Sequence, residues 1–562
     1  MGGRLVATCV LAALLAGCTN VPPPPLVTTP EAGTTANRPV NPGEVVVGVD
    51  SVAGGFNPHK LADQSAATTA LANLLLPTVF RTAADGTPQL DPTLMVSAEV
   101  TKAEPYTVTY QIRPEASWAD SAPIAAEDFV FLWQQLRNAT DAIDGAGYRL
   151  IANIAARDTG KTVEVTFAKP YPGWRSLFSG LVPAHLLKDA PGGWAGALHD
   201  SFPTTAGPFS IKAVDRDRGE IVLERSDRYW AQPPVPDRIV LRRADQSGVI
   251  DALTAGHDQL SLSSLDAVGA LRFRELAQPL TVSTVPRSTV VTLLLRPAGP
   301  DLSVLAVRSG IIALLNREPL ITIGTGNGPA AALQADAQVL PPSAPGYTST
   351  IPSTLSPAKP DHDQGVRQLT DAGYTKVGRS WTRDGRPLSL VIGAPTERPS
   401  YLSIAGEVAR QLTAEGIQAK VATVPESVLI TQLSAPPTGT DPVNMVIAPQ
   451  PVGGDPATVL ATNFGCVSKS DTAGNLAGTP LSAIGSCDPT IQPTIDAALT
   501  GAVSLADALS TVEPAVWRLA MSIPLYQEAD SLAVRPEMSG VTVGPPLAGP
   551  FAGAPGWRRS VG

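Results

Sequence analysis

The chain has 562 residues, which is enough for several domains with buried cores and excludes a single small binding module. Hydrophobic residues make up 43% of it and charged residues 16%, a balance that excludes an acidic disordered polymer and a coiled coil. The net charge of −9 and the lack of any basic run disfavour binding to nucleic acid or to an anionic membrane through charge.

The first residues have the pattern of an export signal. Arg4 precedes an apolar stretch, Leu5 to Leu15, that is too short to span a bilayer. The run Leu15-Ala16-Gly17-Cys18 matches the bacterial lipobox, in which small residues fit the signal peptidase and the following thiol takes the lipid. The alternative is a buried apolar helix that ends in a cysteine by chance. We expect residues 1–17 to be a lipoprotein signal peptide and Cys18 to be the lipidation site.

Residues 18–44 form the predicted tether. Seven prolines lie between Thr19 and Glu44 without any periodic apolar pattern, which predicts an extended, polyproline-like segment. No later run approaches the roughly 20 apolar residues that a membrane-spanning helix needs. We therefore expect a body anchored by lipid to the extracytoplasmic face of the cell membrane.

Two cysteines remain in the exported body, Cys466 and Cys487. Disulfides form and persist in exported proteins, so we expect this pair to be bonded. Metal binding is the weaker alternative because no histidine lies near either cysteine. We expect neither a metal nor a cofactor.

Periodicity predicts a chain of alternating strands and helices. Alternating apolar residues indicate strands at 45–49, 106–113 and 162–167, and the spacing of Phe129, Leu132, Trp133 and Leu136 indicates a helix between the last two. Further on, the predicted strand 388–392, helix 401–412 and strand 417–424 form a βαβ unit. The predicted class is α/β with several domains.

Catalytic motifs find little support. Gly160-Lys161-Thr162 resembles the end of a P-loop, but Ala155 stands where a glycine is required and a strand follows instead of a helix. The Gly-x-Ser-x-Gly pattern of esterases is absent, and nothing in the sequence brings two carboxylates together. We do not expect an enzyme.

The segment Tyr106 to Leu136, YTVTYQIRPEASWADSAPIAAEDFVFLWQQL, resembles the signature of the family 5 extracytoplasmic solute-binding proteins, the peptide, nickel and heme binders of ABC importers. Ser121 replaces the turn glycine of that signature. Ala125 replaces the threonine that would cap the helix, a loss on the order of 1 kcal/mol. Further matches follow in order along the chain: Asn57-Pro58-His59, Gly207-Pro208-Phe209, Tyr229-Trp230, Asn316-Arg317-Glu318, Ala372-Gly373-Tyr374 and Ile523-Pro524-Leu525-Tyr526.

The resemblance implies a two-lobed, periplasmic-binding-protein-like fold (class II, the cluster of large peptide binders), with an extra domain in the first lobe and a hinge that closes over ligand. The implied boundaries are 45–85, 203–290 and 520–562 for the core of lobe 1, 86–202 for the extra domain, and 291–519 for lobe 2.

The stretch Ala448 to Pro456 departs from the family's peptide receptors. It lacks the tryptophan that covers a peptide side chain and the early aspartate that pairs with the peptide amine, and Asp455 stands where the family often has a later acid. The nearby strand 289–295 offers apolar surface, although these residues could equally be core. The residues predicted to contact ligand are Val291, Leu293, Leu295, Gln450, Gly453, Gly454 and Asp455.

Together with the lipobox and tether, this cleft resembles that of mycobacterial lipoproteins in the family that are associated with phosphatidylinositol mannosides and lipoarabinomannan biosynthesis. The resemblance implies an amphiphilic glycolipid such as a monoacyl phosphatidylinositol tetramannoside, and an influence on lipomannan and lipoarabinomannan synthesis. An oligopeptide receptor of an ABC importer is the alternative, and an enzyme the weakest. The implied partners are the ligand, the membrane and either an envelope biosynthetic membrane protein or an ABC permease, with no nucleic acid; we expect a monomer.

The lipobox generates a direct prediction. Cys18→Ala removes the thiol that takes the lipid, so the protein should leave the membrane fraction. We expect Cys18 to carry two or three acyl chains, because a single chain anchors a protein only marginally. Membrane fractionation with mass spectrometry measures this. A Cys18→Ala protein that stays wholly with membranes at unchanged mass would contradict the lipobox assignment.

Overall fold

The computed structural model describes residues 43–52, 55–276, 279–352, 359–434, 442–470 and 476–560. The predicted signal peptide, Cys18 and nearly all of the predicted tether lie outside these residues. Across the described ranges, no helix combines the length and apolar character needed to cross a bilayer.

The strands follow the chain as β1 (Glu44–Val49), β2 (Phe80–Thr82), β3 (Pro88–Leu90), β4 (Met95–Ala103), β5 (Tyr106–Ile112), β6 (Ile151–Arg157), β7 (Thr162–Phe167), β8 (Phe209–Asp215), β9 (Glu220–Arg225), β10 (Arg238–Arg243), β11 (Leu260–Ser263), β12 (Thr281–Leu295), β13 (Thr375–Val377), β14 (Ser380–Arg383), β15 (Arg386–Pro387), β16 (Ser389–Pro395), β17 (Gln418–Val424), β18 (Met445–Pro451), β19 (Cys466–Ser470), β20 (Leu476–Pro480), β21 (Ser522–Val534), β22 (Met538–Ser539) and β23 (Arg558–Arg559).

The α-helices are α1 (Ala66–Leu75), α2 (Ala126–Leu136), α3 (Gly145–Arg149), α4 (Ala184–Leu187), α5 (Gly193–Ala197), α6 (Gln246–Ala255), α7 (Ala267–Glu275), α8 (Gly299–Leu302), α9 (Leu305–Leu314), α10 (Arg317–Thr325), α11 (His362–Asp371), α12 (Pro399–Ala414), α13 (Glu426–Ser434), α14 (Pro456–Phe464), α15 (Gln492–Leu499) and α16 (Leu505–Leu519).

A large mixed sheet runs through both lobes in the order β17-β16-β18-β12-β21-β11-β1-β10-β9-β8. Its centre is the long antiparallel pair β12 and β21, which reaches from Thr281 opposite Val534 to Leu294 opposite Ser522. The first-lobe strands lie on one side of this pair and the second-lobe strands on the other. The sheet therefore joins the lobes through continuous hydrogen bonding.

The predicted βαβ unit is confirmed in the second lobe. Strands β16 and β17 are parallel, with Ser389 opposite Gln418 and Pro395 opposite Val424, and α12 connects them. The helix buries Tyr401, Ile404 and Val408 against the second-lobe core, because these positions fall on one helical face.

A separate four-stranded sheet, β4-β5-β7-β6, lies within the range predicted for the extra domain. Its inner face packs on α2 through a group of rings: Tyr110 lies 5.8 Å from Phe129, and Phe129 lies 4.7 Å from Phe178, between ring centroids. The alternating strands predicted at 106–113 and 162–167 are confirmed as β5 and β7.

The two departures from the family signature have local consequences. Ser121 has φ of 76°, the left-handed conformation that glycine adopts most easily. Ala125 makes no capping hydrogen bond at the start of α2, and Asp128 takes over part of that role. The Asp128 carboxylate accepts hydrogen bonds from the Ala125 and Ala184 backbone amides at 3.1 and 2.9 Å and from the Trp118 indole at 3.2 Å. Burial nevertheless raises the pKa of Asp128 to about 6.

The structure joins Cys466 to Cys487 by the predicted disulfide. The bond links the start of β19 to the segment before α15, and the enclosed stretch includes residues outside the described ranges. For 21 positions of separation, loop closure is worth about 3 kcal/mol in the chain-entropy model.

The lobes are in direct contact. Tyr171 of the first lobe and Thr458 of the second share a hydrogen bond of 2.7 Å between their hydroxyl oxygens, and the Ala483 amide donates to the Thr140 carbonyl at 2.8 Å. Leu61 of the first lobe is buried in one cluster with Leu429 and other second-lobe residues. The predicted boundaries assign these contacting residues to different lobes.

Arg398, just before α12, connects both lobes and the central strand pair. Its guanidinium donates to the Glu426 carboxylate and to the backbone carbonyl of Gln64, each at 2.8 Å, and lies 3.5 Å from Glu528 on β21. Burial opposes ionisation of Glu528, but the charges of Arg287 and Arg398 outweigh it and lower the pKa of this carboxyl. The cation at 398 therefore stabilises two buried carboxylates.

We expect Arg398→Met to lower the free energy of unfolding by about 3 to 5 kcal/mol, because it leaves Glu426 without its ion-pair partner and Glu528 with only the more distant Arg287. The matched control is Arg410→Met, in the same helix, whose exposed guanidinium pairs with Glu407 and should cost less than about 1 kcal/mol. Denaturant unfolding of both variants measures the difference. Equal effects would contradict the role assigned to Arg398.

Candidate functional site

A cavity of about 260 Å³ lies in the first lobe. Residues of α1, of the segment 176–180 and of the C-terminal segment 548–552 surround it, together with Asp144 and Tyr148. The cavity thus gathers segments that are almost 500 positions apart in the sequence.

Helix α1 provides one side. The Ser65 hydroxyl caps it by accepting a hydrogen bond from the Thr68 amide at 3.0 Å. The cap fixes the helix so that Thr69, Ala72 and Asn73 lie along the cavity. Asn73 also donates its side-chain amide to the Ala548 carbonyl at 3.1 Å, which fastens the C-terminal segment to this helix.

The segment 176–180 forms another side, and several hydrogen bonds hold it. The Gly180 amide donates to the Thr78 hydroxyl at 3.0 Å, and the Phe178 amide donates to the Tyr148 hydroxyl at 2.8 Å. His59 Nε2 donates to the Gly180 carbonyl at 2.9 Å. Burial lowers the pKa of His59 to about 4, so this imidazole is neutral at pH 7 and serves to position the segment.

The two charged side chains that line the cavity have different surroundings. Arg81 is neutralised by Asp91, whose carboxylate accepts its Nε–H at 2.5 Å. Asp144 makes no hydrogen bond or ion pair within the described part of the chain. Burial, and then the nearby charge of Asp455, raise the pKa of Asp144 to about 7.

Gln64 connects the cavity wall to the second lobe. Its side-chain amide donates to the Pro58 and Lys60 carbonyls at 3.1 and 3.0 Å, and its own backbone carbonyl accepts from Arg398. Gln64 therefore lies between the cavity and the interlobe contact made by Arg398.

Three of the sequence-predicted contact residues do not face this cavity. Val291, Leu293 and Leu295 on β12 are buried in the second-lobe core, where they pack with residues of α12 and of β18. Their apolar side chains fill the space between sheet and helix, so in this structure they are core residues. They do not line this cavity, and the expectation that they contact ligand stays a prediction.

None of the remaining predicted residues lines the cavity, and of these only Gly454 and Asp455 lie near its Asp144. Gln450 is buried on β18, where its side-chain oxygen accepts a hydrogen bond from the Thr292 hydroxyl at 3.3 Å. Gly453 and Gly454 follow β18, and Gly454 has φ of 86°. A Cβ at Gly454 would lie 3.5 Å from Oδ2 of Asp144. Asp455 caps α14 by accepting from the Thr458 amide and hydroxyl at 2.9 and 2.7 Å.

Most residues that line the cavity belong to no recognisable sequence motif. Asp144 precedes a five-residue helix and looks like an ordinary N-cap, while Thr69 and Ser179 lie in stretches without any motif. Two motifs do reach the wall: Pro58 and His59 of Asn57-Pro58-His59, and Leu136 at the end of the signature segment.

The lining favours hydrogen bonding to a polar guest. Hydroxyl and amide side chains alternate with a comparable apolar surface, to which Phe80 and Tyr148 add aromatic rings, and Asp144 adds one unpaired carboxyl. In the described part of the chain, no three His, Cys, Asp or Glu side chains are grouped so that they could hold a metal ion.

The chain is similar to known solute-binding proteins. Residues 89–471 match the model of bacterial extracellular solute-binding proteins, family 5 Middle. The chain is 33% identical to LpqW of Mycobacterium tuberculosis (strain CDC 1551 / Oshkosh), named as a probable monoacyl phosphatidylinositol tetramannoside-binding protein, over 96% of this chain and 95% of LpqW. It is 26% identical to the oligopeptide-binding protein OppA of Mycobacterium bovis over 60% of this chain and 57% of OppA.

The fold has solved counterparts as well. The periplasmic EDTA-binding protein EppA superposes with a TM-score of 0.72 at 20% identity, covering 93% of this chain and 98% of EppA. This likeness shows the two-lobed binding-protein fold that the signature segment implied. The chain belongs to family 5 of the bacterial extracellular solute-binding proteins.

Proposed function

We propose that the chain is a cell-envelope lipoprotein that binds a phosphatidylinositol mannoside-type glycolipid, such as a monoacyl phosphatidylinositol tetramannoside, with part of the headgroup in the first-lobe cavity. The cavity lining carries this proposal. Hydroxyls of Thr69 and Ser179, the side-chain oxygen of Gln64 and the carboxyl of Asp144 offer the donors and acceptors that sugar hydroxyls need. The rings of Phe80 and Tyr148 supply flat apolar surface beside them.

Strand β18 does not line the cavity, and it offers no partner for a peptide terminus. Every residue of β18 is buried, and none of the seven is charged. A peptide ammonium at this strand would have no opposite charge, and burying an unpaired ammonium is costly. Hydroxyl groups carry no such penalty.

The size of the cavity limits what it holds. At about 260 Å³ it lies just under the range of about 300 to 1,000 Å³ typical of small-molecule pockets. The cavity therefore accommodates one or two rings of a headgroup, and the remaining sugars and the acyl chains extend beyond it. The acyl chains would remain with the membrane to which the predicted lipid anchor holds the protein.

The similarity to LpqW over almost the whole chain also supports this proposal, since that protein is named for such a glycolipid. On the same basis we propose that the protein influences lipomannan and lipoarabinomannan biosynthesis through contact with an envelope biosynthetic membrane protein, without a dedicated permease and without enzymatic activity of its own.

A second candidate is an oligopeptide receptor of an ABC importer. The similarity to OppA favours it, and so does the free Asp144 carboxyl, which could pair with a peptide amine. The two candidates differ in the charge of the group that reaches Asp144.

Thermal unfolding with added ligand separates the candidates. Monoacyl phosphatidylinositol tetramannoside should raise the melting temperature of the purified protein, because a ligand at 100 times its Kd stabilises the folded state by about 2.7 kcal/mol. Phosphatidylinositol without mannose is the matched lipid control and should have a smaller effect. Mixed tri- to pentapeptides should have none. Micromolar peptide binding by calorimetry, with no response to the glycolipid, would overturn the proposal in favour of the importer receptor.

A further inference from the structure

Asp144 occupies the N-cap position of α3 but does not act as a cap. An aspartate at this position usually accepts a hydrogen bond from a backbone amide in the first helical turn. Here the side chain makes no capping hydrogen bond, and the Ala146 amide donates instead to the Thr462 hydroxyl at 3.4 Å. The carboxylate therefore makes no hydrogen bond to the helix that it precedes.

The surroundings of Asp144 give it no compensating charge. Arg81, the cation on the cavity wall, is bound to Asp91. Asp455, at the start of α14, repels Asp144 and is itself satisfied by Thr458. The other titratable groups that face it are Tyr148 on α3 and Tyr171, and both are neutral because burial raises their pKa values.

A partly buried carboxyl without a partner is destabilising in the empty protein. An asparagine of the same shape would avoid both the desolvation and the repulsion from Asp455. The folded state thus gains nothing from an acid at this position, which is typical of a group that serves binding.

We infer that Asp144 is a binding residue for a pair of neighbouring hydroxyls at the neutral, non-phosphorylated end of the glycan, an inference that rests on the proposed function. A carboxylate can accept hydrogen bonds from two adjacent hydroxyls, and such charge-assisted bonds are stronger than neutral ones. The adjacent Asp144 and Asp455 would repel a phosphate. The headgroup therefore binds with its sugars toward Asp144 and its phosphate away from the two carboxylates.

The test is Asp144→Asn in the full chain, compared with wild type at pH 7.5. The empty variant should melt at a higher temperature than wild type, because a buried charge is removed, and its affinity for monoacyl phosphatidylinositol tetramannoside should fall at least ten-fold. A merely structural aspartate would give a lower melting temperature. The matched control is Asp141→Asn, three positions earlier, whose carboxylate pairs with Lys60 at 3.0 Å; its affinity should change less than two-fold.

The pH dependence of stability gives an independent readout. The pKa of Asp144 is near 7 in the folded protein and about 4 in the unfolded chain. Between pH 4 and pH 7 the folded state therefore binds more protons than the unfolded state. The contribution of Asp144 to stability therefore falls as the pH rises from 4 to 7. The melting-temperature advantage of Asp144→Asn should be nearly absent at pH 4 and grow up to pH 7.

The outcomes separate the two claims. Wild-type protein that ignores the glycolipid rejects the proposed function. If Asp144→Asn binds the glycolipid as tightly as wild type does, only the role of Asp144 is rejected. Loss of peptide binding on this substitution would show that Asp144 binds an ammonium group instead. If the variant does not fold, saturation-transfer NMR on wild type decides: methyl α-mannoside should bind, and stronger binding of inositol 1-phosphate would overturn the orientation.

Discussion

The antiparallel pairing of β12 with β21 is the constraint on which the rest of the structure depends. These strands are the longest in the described chain, and together they belong to both lobes of one sheet. Because the pairing is continuous from Thr281 to Leu294, with local irregularities, the lobes cannot separate without bending this pair. We therefore expect any closure of the lobes to be a hinge motion about these two strands.

Several buried carboxylates near this hinge lie beside cations, although burial still raises the pKa of Asp530 to about 7. Arg287 lies 3.8 Å from Glu528 and 3.9 Å from Asp530, and Arg398 adds a second cation beside Glu528. These ions stabilise one geometry, since removing any partner leaves a charge in a poor solvent. Asp144 stands in contrast to them, because its burial is uncompensated in the empty protein. The paired ions near the hinge thus stabilise the fold, whereas the inferred role of Asp144 is to bind ligand.

The sequence predicted local structure well where one pattern governs it. The βαβ unit formed by β16, α12 and β17 follows from periodicity, and the family signature located α2 together with its unusual start at Ala125. The disulfide followed from the compartment in which the chain is expected to work. In each case the determining interaction is close in sequence or depends on residue type alone.

The site was predicted less well for two physical reasons. An apolar strand such as β12 has the same sequence pattern whether its residues face a cleft or a core. Packing against α12 buries Val291, Leu293 and Leu295 in the core. The cavity itself is assembled by contacts such as Asn73 with Ala548, which no local pattern encodes. Asp144 was hidden because its position matches a helix cap whose hydrogen bond is not made.

The central claim is that ligand occupies the first-lobe cavity beside Asp144. Hydrogen exchange of the full-length protein, with and without monoacyl phosphatidylinositol tetramannoside, tests it most directly. With the glycolipid bound, exchange should be slower in residues 58–82, 136–148 and 176–180, the segments that surround the cavity. Slower exchange confined to residues 289–295 and 448–455, with these three segments unchanged, would contradict it.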